Sequence, residues 1–198
     1  MGERTARVER LTGETAVTVS LDLDGGDARC ESGVGFLDHM VAQLARHGGF
    51  GLEVAARGDL GVDAHHTVED VGLALGETLD RALGDRSGVV RFGFAYAPLD
   101  EALARAVVDL SGRPFARVEV PRDLAGVWVT REFPLTLVGE FWRAVASRAR
   151  MTLHLDLERA VDPHHAAEAM FKAGALALGQ AVVVRRGGVP STKGTLST

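Results

Sequence analysis

Two short segments of this chain share one pattern of metal-capable residues: VDAHHTVED, with His65, His66 and Glu69, and VDPHHAAEA, with His164, His165 and Glu168. Each member of the second lies 99 positions after its counterpart (164 − 65, 165 − 66, 168 − 69), and Val62/Val161, Asp63/Asp162, Ala74/Ala173 and Leu79/Leu178 match at the same spacing. One HHxxE alone is equally well explained by surface histidines beside a solvated glutamate. Its repetition is not, because six of the seven histidines fall in the two pairs, in FLDHM (His39) or just after it at His47. The pattern implies an internal duplication built around metal chemistry.

Apolar residues at helical spacing follow each motif: Val68, Val71, Leu75, Leu79 and Leu83 in the first copy, Met170, Ala173 and Leu176 in the second. Each HHxxE therefore belongs to the first turns of a helix, where residues four apart share a face. His65 can meet Glu69 on one cation, and His164 can meet Glu168 on another. The adjacent histidines, His66 and His165, point about 100° away at ~3.6 residues per turn. The economical solution sets two helices face to face, each leftover histidine crossing to the ion held by the other copy. One further ligand per ion is expected upstream: His39, 26 residues before His65, and Glu140 in LVGEFW, 24 residues before His164. Imidazole and carboxylate without thiolate suit Mn2+, Fe2+, Co2+, Ni2+ or Zn2+, and a six-coordinate ion with room for substrate favours Mn2+.

Those helices need a frame. At 198 residues and 46% hydrophobic the chain can bury a core as one compact domain or two fused halves. The duplication favours halves at 1–93 and 94–198, the second ending in a phosphate-binding tail, joined as one unit. TAVTVSLDLDGGDARCE alternates Val17, Val19, Leu21 and Leu23 and turns at DGGD, as a hairpin does. FLDHMVAQLARHGG predicts a helix with its stop at Gly48/Gly49. LEVAARG predicts a strand. ARAVVDLSGRPFARVEV gives two strands around a turn, LTLVGEFWRAVASRA a helix, and MTLHLDL a strand with Met151, Leu153, Leu155 and Leu157 inward. The expected fold is α+β, each half a mostly antiparallel sheet with helices on one face.

The net charge of −5 and the lack of a basic stripe argue against nucleic-acid binding through phosphate neutralisation. A single cysteine, Cys30, rules out an intramolecular disulfide framework, MGERTARVERL lacks an apolar signal region, and no apolar run is long enough for a bilayer. A cytoplasmic protein without membrane partners is expected. Candidate anion-binding cations are Arg91, Arg113 in a tight SGRP turn, Lys172 and Lys193, with the hydroxyls of Ser191 and Thr192. Lys172 follows Glu168 by four residues, so it faces the metal side and can also form an ordinary ion pair with it. Glu14, which precedes a strand and has no evident pairing partner, reads as a solvated carboxylate, and Asp100 and Glu101 in PLDEAL allow the same reading. The tail RRGGVPSTKGTLST has the Gly/Pro/Ser-rich composition usual in disordered segments.

In order, FLDHMVAQLARHG, GDLGVDAHHTVEDVGLALG, ALGD, RFG with PLDEAL, DLSGRP, HHAAEAMFKA and PSTKG resemble the imidazoleglycerol-phosphate dehydratase family of histidine biosynthesis. The resemblance spans nearly the whole chain. It implies a lyase that removes water from D-erythro-imidazole glycerol phosphate to give imidazole acetol phosphate through a di-manganese-bound imidazolate. It further implies a 24-subunit homo-oligomer with active sites at subunit interfaces. By motif, His39, His66, His164 and Glu168 would hold one Mn2+, and His65, Glu69, His165 and Glu140 the other. Arg91, Arg113, Lys172, Ser191, Thr192 and Lys193 match substrate and phosphate contacts, and Glu14 and His47 match pocket residues with acid–base potential. The chain departs from the family pattern at Glu140, where histidine is usual, at Trp142 in place of a second phenylalanine, and at Asp162 in place of asparagine. The alternative activity for such a site is a dinuclear, metal-dependent phosphate-ester hydrolase.

Overall fold

The computed structural model describes residues 3–185 together with Gly188 and Leu196. The first half runs β1 (Thr5–Leu11), β2 (Thr15–Asp22), β3 (Ala28–Glu31), α1 (Gly35–Gly48), β4 (Gly51–Gly58) and α2 (His65–Leu83). The second repeats that order as β5 (Phe92–Leu99), β6 (Ala102–Asp109), β7 (Phe115–Glu119), α3 (Thr136–Arg148), β8 (Thr152–Arg159) and α4 (Pro163–Ala181). The sheets have matching strand orders, β1-β2-β4-β3 and β5-β6-β8-β7, with the last pair of each parallel and the others antiparallel. The α+β duplication expected from the sequence is present. The expected division after residue 93 falls inside β5, all of which belongs to the second sheet.

Alternation decides which face each sheet buries. Val17, Val19, Leu21, Leu52 and Val54 of the first sheet and Ala104, Ala106, Val108, Leu153, Leu155 and Leu157 of the second turn inward, and all join one continuous apolar core with the helices. Leu37, Met40, Val41 and Leu44 form the buried stripe of α1, which ends at Gly49 in the left-handed conformation.

The DGGD turn does not close a hairpin. β2 and β3 flank it, but β4 lies between them, antiparallel to one and parallel to the other. β6 and β7 around SGRP are separated in the same way by β8. Period-two alternation identifies strands and their apolar face but carries no information about which strand is the neighbour. The actual hairpins are β1–β2 and β5–β6.

The two motif helices do not face each other within one chain. α2 packs chiefly on α3, and α4 on α1 and on its own sheet. Glycine sets these distances: a Cβ at Gly76 would lie 2.4 Å from the Val145 carbonyl oxygen, so α2 and α3 touch backbone to backbone. Gly174 on α4 makes room for the indole of Trp142, which a Cβ there would meet at 2.4 Å. Trp142 is fully buried, its ring centroid 5.6 Å from both Phe141 and Phe171. Pairs of this kind contribute ~0.5–1.5 kcal/mol beyond the area they bury.

Candidate metal centre

Both HHxxE motifs follow an acidic residue that accepts from the backbone of the first histidine. Asp162 caps α4, its Oδ1 accepting from the His164 backbone N–H at 2.7 Å and from that of His165 at 3.4 Å, with Pro163 preset at the first helical position. Asp63 accepts from the His65 backbone N–H at 2.7 Å. The repeated Val-Asp before each histidine pair therefore fixes where each helix begins and the direction in which its histidines leave it.

At the head of α4 three donors converge. The Nε2 atoms of His39, from α1, and His164 lie 3.4 and 3.3 Å from Glu168 Oε2, and one ligand atom from each of the three residues lies within 4.8 Å of the others. Donors ~2.0–2.2 Å from a common cation sit roughly 3 Å apart, so little closure is needed to ligate one. Two imidazoles with one carboxylate are a donor set for a borderline divalent ion. Glu168 is buried while both histidines are exposed, leaving the open side of the group toward solvent. Burial pushes the Glu168 carboxyl up, but Lys172 Nζ, 2.7 Å from Oε1, and His39 outweigh it and hold the group below its ordinary value. Phe36 backs the cluster, its ring 5.3 Å from that of His164 and 6.5 Å from that of His39. His47 sits at the end of α1, hydrogen-bonded to Gln43 at 2.9 Å. Its pKa is lowered by burial and by the charge of Lys172, which favours neutral imidazole.

A second acidic group forms around His66, whose Nδ1 lies 2.9 Å from Asp59 and 3.6 Å from Glu14. The Asp59 hydrogen bond raises the His66 pKa, and Glu14 adds to it. In the other half His165 Nδ1 lies 2.9 Å from Glu101, which raises its pKa likewise, and its Nε2 is 3.8 Å from Asp100. His65 and Glu69 face each other at 3.9 Å.

The expected set is thus only partly assembled in one chain. His39 comes from the opposite half to lie beside His164 and Glu168, the grouping that the family resemblance implies. His66 and His165 do not cross: among the described residues each turns to a carboxylate of its own half. Glu140 is the fifth residue of α3 as His39 is the fifth of α1, so the positional equivalence holds. Its carboxylate instead engages Arg143 at 2.8 Å and joins no cluster with His65 and Glu69 among the described residues.

Of the candidate cations, Arg91 adopts a positive φ, binds Asp109 at 2.7 and 3.1 Å and lies over the Phe92 ring. Arg113 is exposed, and among the described residues its guanidinium donates to the Ser111 carbonyl oxygen at 3.5 Å. Ser191, Thr192 and Lys193 lie outside the described residues.

Two contributors escaped the sequence reading. Asp59 lies in the loop between β4 and α2, outside any periodic element, so its spacing from His66 carries no information about their approach. Asp70 follows Glu69 and reads as one more helix acid. It is buried, accepts from Arg10 Nε at 2.7 Å and from the Thr15 hydroxyl, and so ties the turn carrying Glu14 to the motif helix. An acid on the buried side of an amphipathic helix was the available signal.

A sequence model of imidazoleglycerol-phosphate dehydratase matches residues 32–178, which span both motifs and His39. The chain belongs to that family. It is 56% identical to the imidazoleglycerol-phosphate dehydratase of Halorhodospira halophila over 99% of this chain and all of that one. With that of Salinispora tropica it shares 52% identity over 98% of this chain and 99% of the relative. The crystal structure of the Staphylococcus aureus enzyme is similar at a TM-score of 0.81 and 38% identity, covering 91% of this chain and 99% of that one. That of the Pyrococcus furiosus enzyme in complex with (S)-C348 is similar at 0.82 and 34%, covering 95% and 99%. The family's fold and this chain's fold therefore coincide over nearly their full lengths. No helix among the described residues is long and apolar enough to cross a membrane.

Proposed function

We propose that this chain converts D-erythro-imidazole glycerol phosphate to imidazole acetol phosphate and water in histidine biosynthesis, in the cytoplasm, with two divalent cations per site, Mn2+ first among them. The observation that carries the reading is the convergence of His39, His164 and Glu168, drawn from both halves onto one solvent-open point. Cations held there would supply the positive field that makes an azole ring a better electron donor.

The chain's own residues divide the remaining work. Glu14 is an exposed carboxylate on a turn held by Asp70 and Thr15, free to take the C–H proton beside the departing hydroxyl. His47, whose pKa is lowered by burial and then by the charge of Lys172, is the alternative acceptor. Arg113 has no carboxylate partner among the described residues and is suited to the phosphate, whereas Arg91 is already matched by Asp109 and serves to shape the edge of the site. By family motif, Ser191, Thr192 and Lys193 would complete the phosphate cradle.

Each cation needs more donors than one chain collects, so His66, His165 and the His65–Glu69 pair would be shared across subunits of a homo-oligomer, in the family's case a 24-mer. The outer face of the second sheet supports association. Phe92, Phe94, Tyr96, Val107 and Phe115 are all exposed there, and large apolar side chains gathered on one exposed face are typical of interaction surfaces.

The deciding experiment follows ketone formation from imidazole glycerol phosphate by the Mn2+-loaded protein before and after chelation. Product that disappears with the metal and returns on reloading supports the reading. Release of inorganic phosphate in its place would make the site a hydrolase, and no conversion at any loading would end the proposal.

A further inference from the structure

The duplication makes Glu14 and Glu101 counterparts, although they stand at a different spacing from the histidine motifs. Each is the residue immediately before the second strand of its hairpin, ahead of Thr15 in β2 and Ala102 in β6. Each approaches the second histidine of its own half's pair, Glu14 at 3.6 Å from His66 and Glu101 at 2.9 Å from His165. Their surroundings differ. Glu101 Oε1 accepts the backbone N–H groups of Val161 at 3.1 Å and Asp162 at 2.8 Å, while Oε2 takes His165 Nδ1. Glu14 has none of these ties, because in its half the 2.9 Å contact to the histidine belongs to Asp59. The connection that supplies Asp59 is the longer one: β4 ends at Gly58 and α2 starts at His65, whereas β8 ends at Arg159 and α4 starts at Pro163.

We propose that Glu101 is a positioning residue: its carboxylate fixes the Nδ1–H tautomer and ring orientation of His165 so that Nε2 is presented to a cation. Asp59 performs that task for His66, which releases Glu14, the counterpart of Glu101, for proton transfer. The chemistry is that of a carboxylate behind a metal-binding imidazole. Such a partner accepts from one ring nitrogen, leaves the lone pair on the other, and raises its basicity. Anchored to two backbone amides of the motif loop, Glu101 also sets where the ring pivots. The inference rests on the two-cation reading above.

Glu101→Gln separates this role from a structural one. The amide oxygen still accepts from Val161 and Asp162, but the NH2 group now donates toward Nδ1, which puts the ring proton on Nε2 and closes the ligating atom. The full-length protein, stripped with chelator, is titrated with Mn2+ by calorimetry, and its melting temperature is recorded without metal. The wild type is expected to show two binding events per chain. E101Q is expected to weaken one of them by about 10–100-fold, with the other event and the metal-free melting temperature unchanged. Two wild-type-like events in E101Q would overturn the role of Glu101 and leave the two-cation reading intact. A wild type that binds no Mn2+ would remove both. If E101Q does not fold, Glu101→Asp serves in its place, since the shorter side chain cannot hold both amides and reach the ring. It too should weaken one event selectively, and equal affinity at both would overturn the proposal.

Discussion

The two halves of the molecule share strand order, helix order and the start of each motif helix, yet they treat equivalent positions differently. Where the first places His39, the second has Glu140 paired with Arg143. Where the second fastens Glu101 to a backbone loop, the first leaves Glu14 exposed. Asp70, buried and clamped by Arg10 and Thr15, has Ala169 as its counterpart. The outer face of the first sheet is polar, with Arg7, Glu9, Ser20 and Glu53, whereas that of the second carries exposed Phe92, Phe94 and Tyr96. Duplication supplies a symmetric frame cheaply, because alternation and helix packing tolerate many sequences. Chemistry needs each carboxylate to do one thing, so the symmetry is kept in the core and given up at the site.

The comparison is most exposed at Glu168, the buried carboxylate shared by two histidines. Glu168→Gln should weaken Mn2+ binding by more than the ~10–100-fold typical of an outer-sphere partner and remove turnover with it. Metal titration and assay of the same preparation check this, and an E168Q that binds as wild type would show that the cluster is not a ligand set. Next comes the division of labour between the two glutamates. Glu14→Gln should lower kcat by ~10²–10⁴ while both Mn2+ events persist. If metal binding falls instead, Glu14 is an orienting carboxylate like Glu101 and the two halves treat these positions alike.

Two smaller effects test the frame. Gly76→Val drives a side chain into the Val145 carbonyl and should destabilise the fold by ~1–3 kcal/mol, read from the denaturation midpoint of the metal-free protein. Glu140→His would restore the symmetric donor. Losing the partly exposed Glu140–Arg143 pair should change stability by no more than ~1 kcal/mol, while affinity for the more weakly bound Mn2+ rises. Unchanged affinity would mean that this position of α3 reaches no ion.

Much of this was legible in the residues. The 99-residue offset and the apolar stripes behind each HHxxE gave the duplication and both motif helices, and the i,i+4 geometry placed Glu168 beside His164 and Lys172. His39 was found because it is one of few histidines and sits in a helical segment. Strand neighbours were not legible, since β4 and β8 enter between strands that a single turn links in the chain. Nor was Asp59, whose proximity to His66 arises from a loop fold and from no periodic spacing.

By itself, then, the sequence determined which segments are helices and strands, which faces are apolar and which residue types could ligate a cation. These follow from local periodicity and side-chain chemistry, which each short stretch carries in full. Only the tertiary structure decided that His39 reaches the opposite motif, that His66 and His165 turn to carboxylates of their own halves, and that Glu14 keeps a looser approach to its histidine while Glu101 is fastened to a backbone loop. Those are contacts between residues far apart in the chain, fixed by how two sheets clasp four helices, and no local pattern encodes a distance across a core.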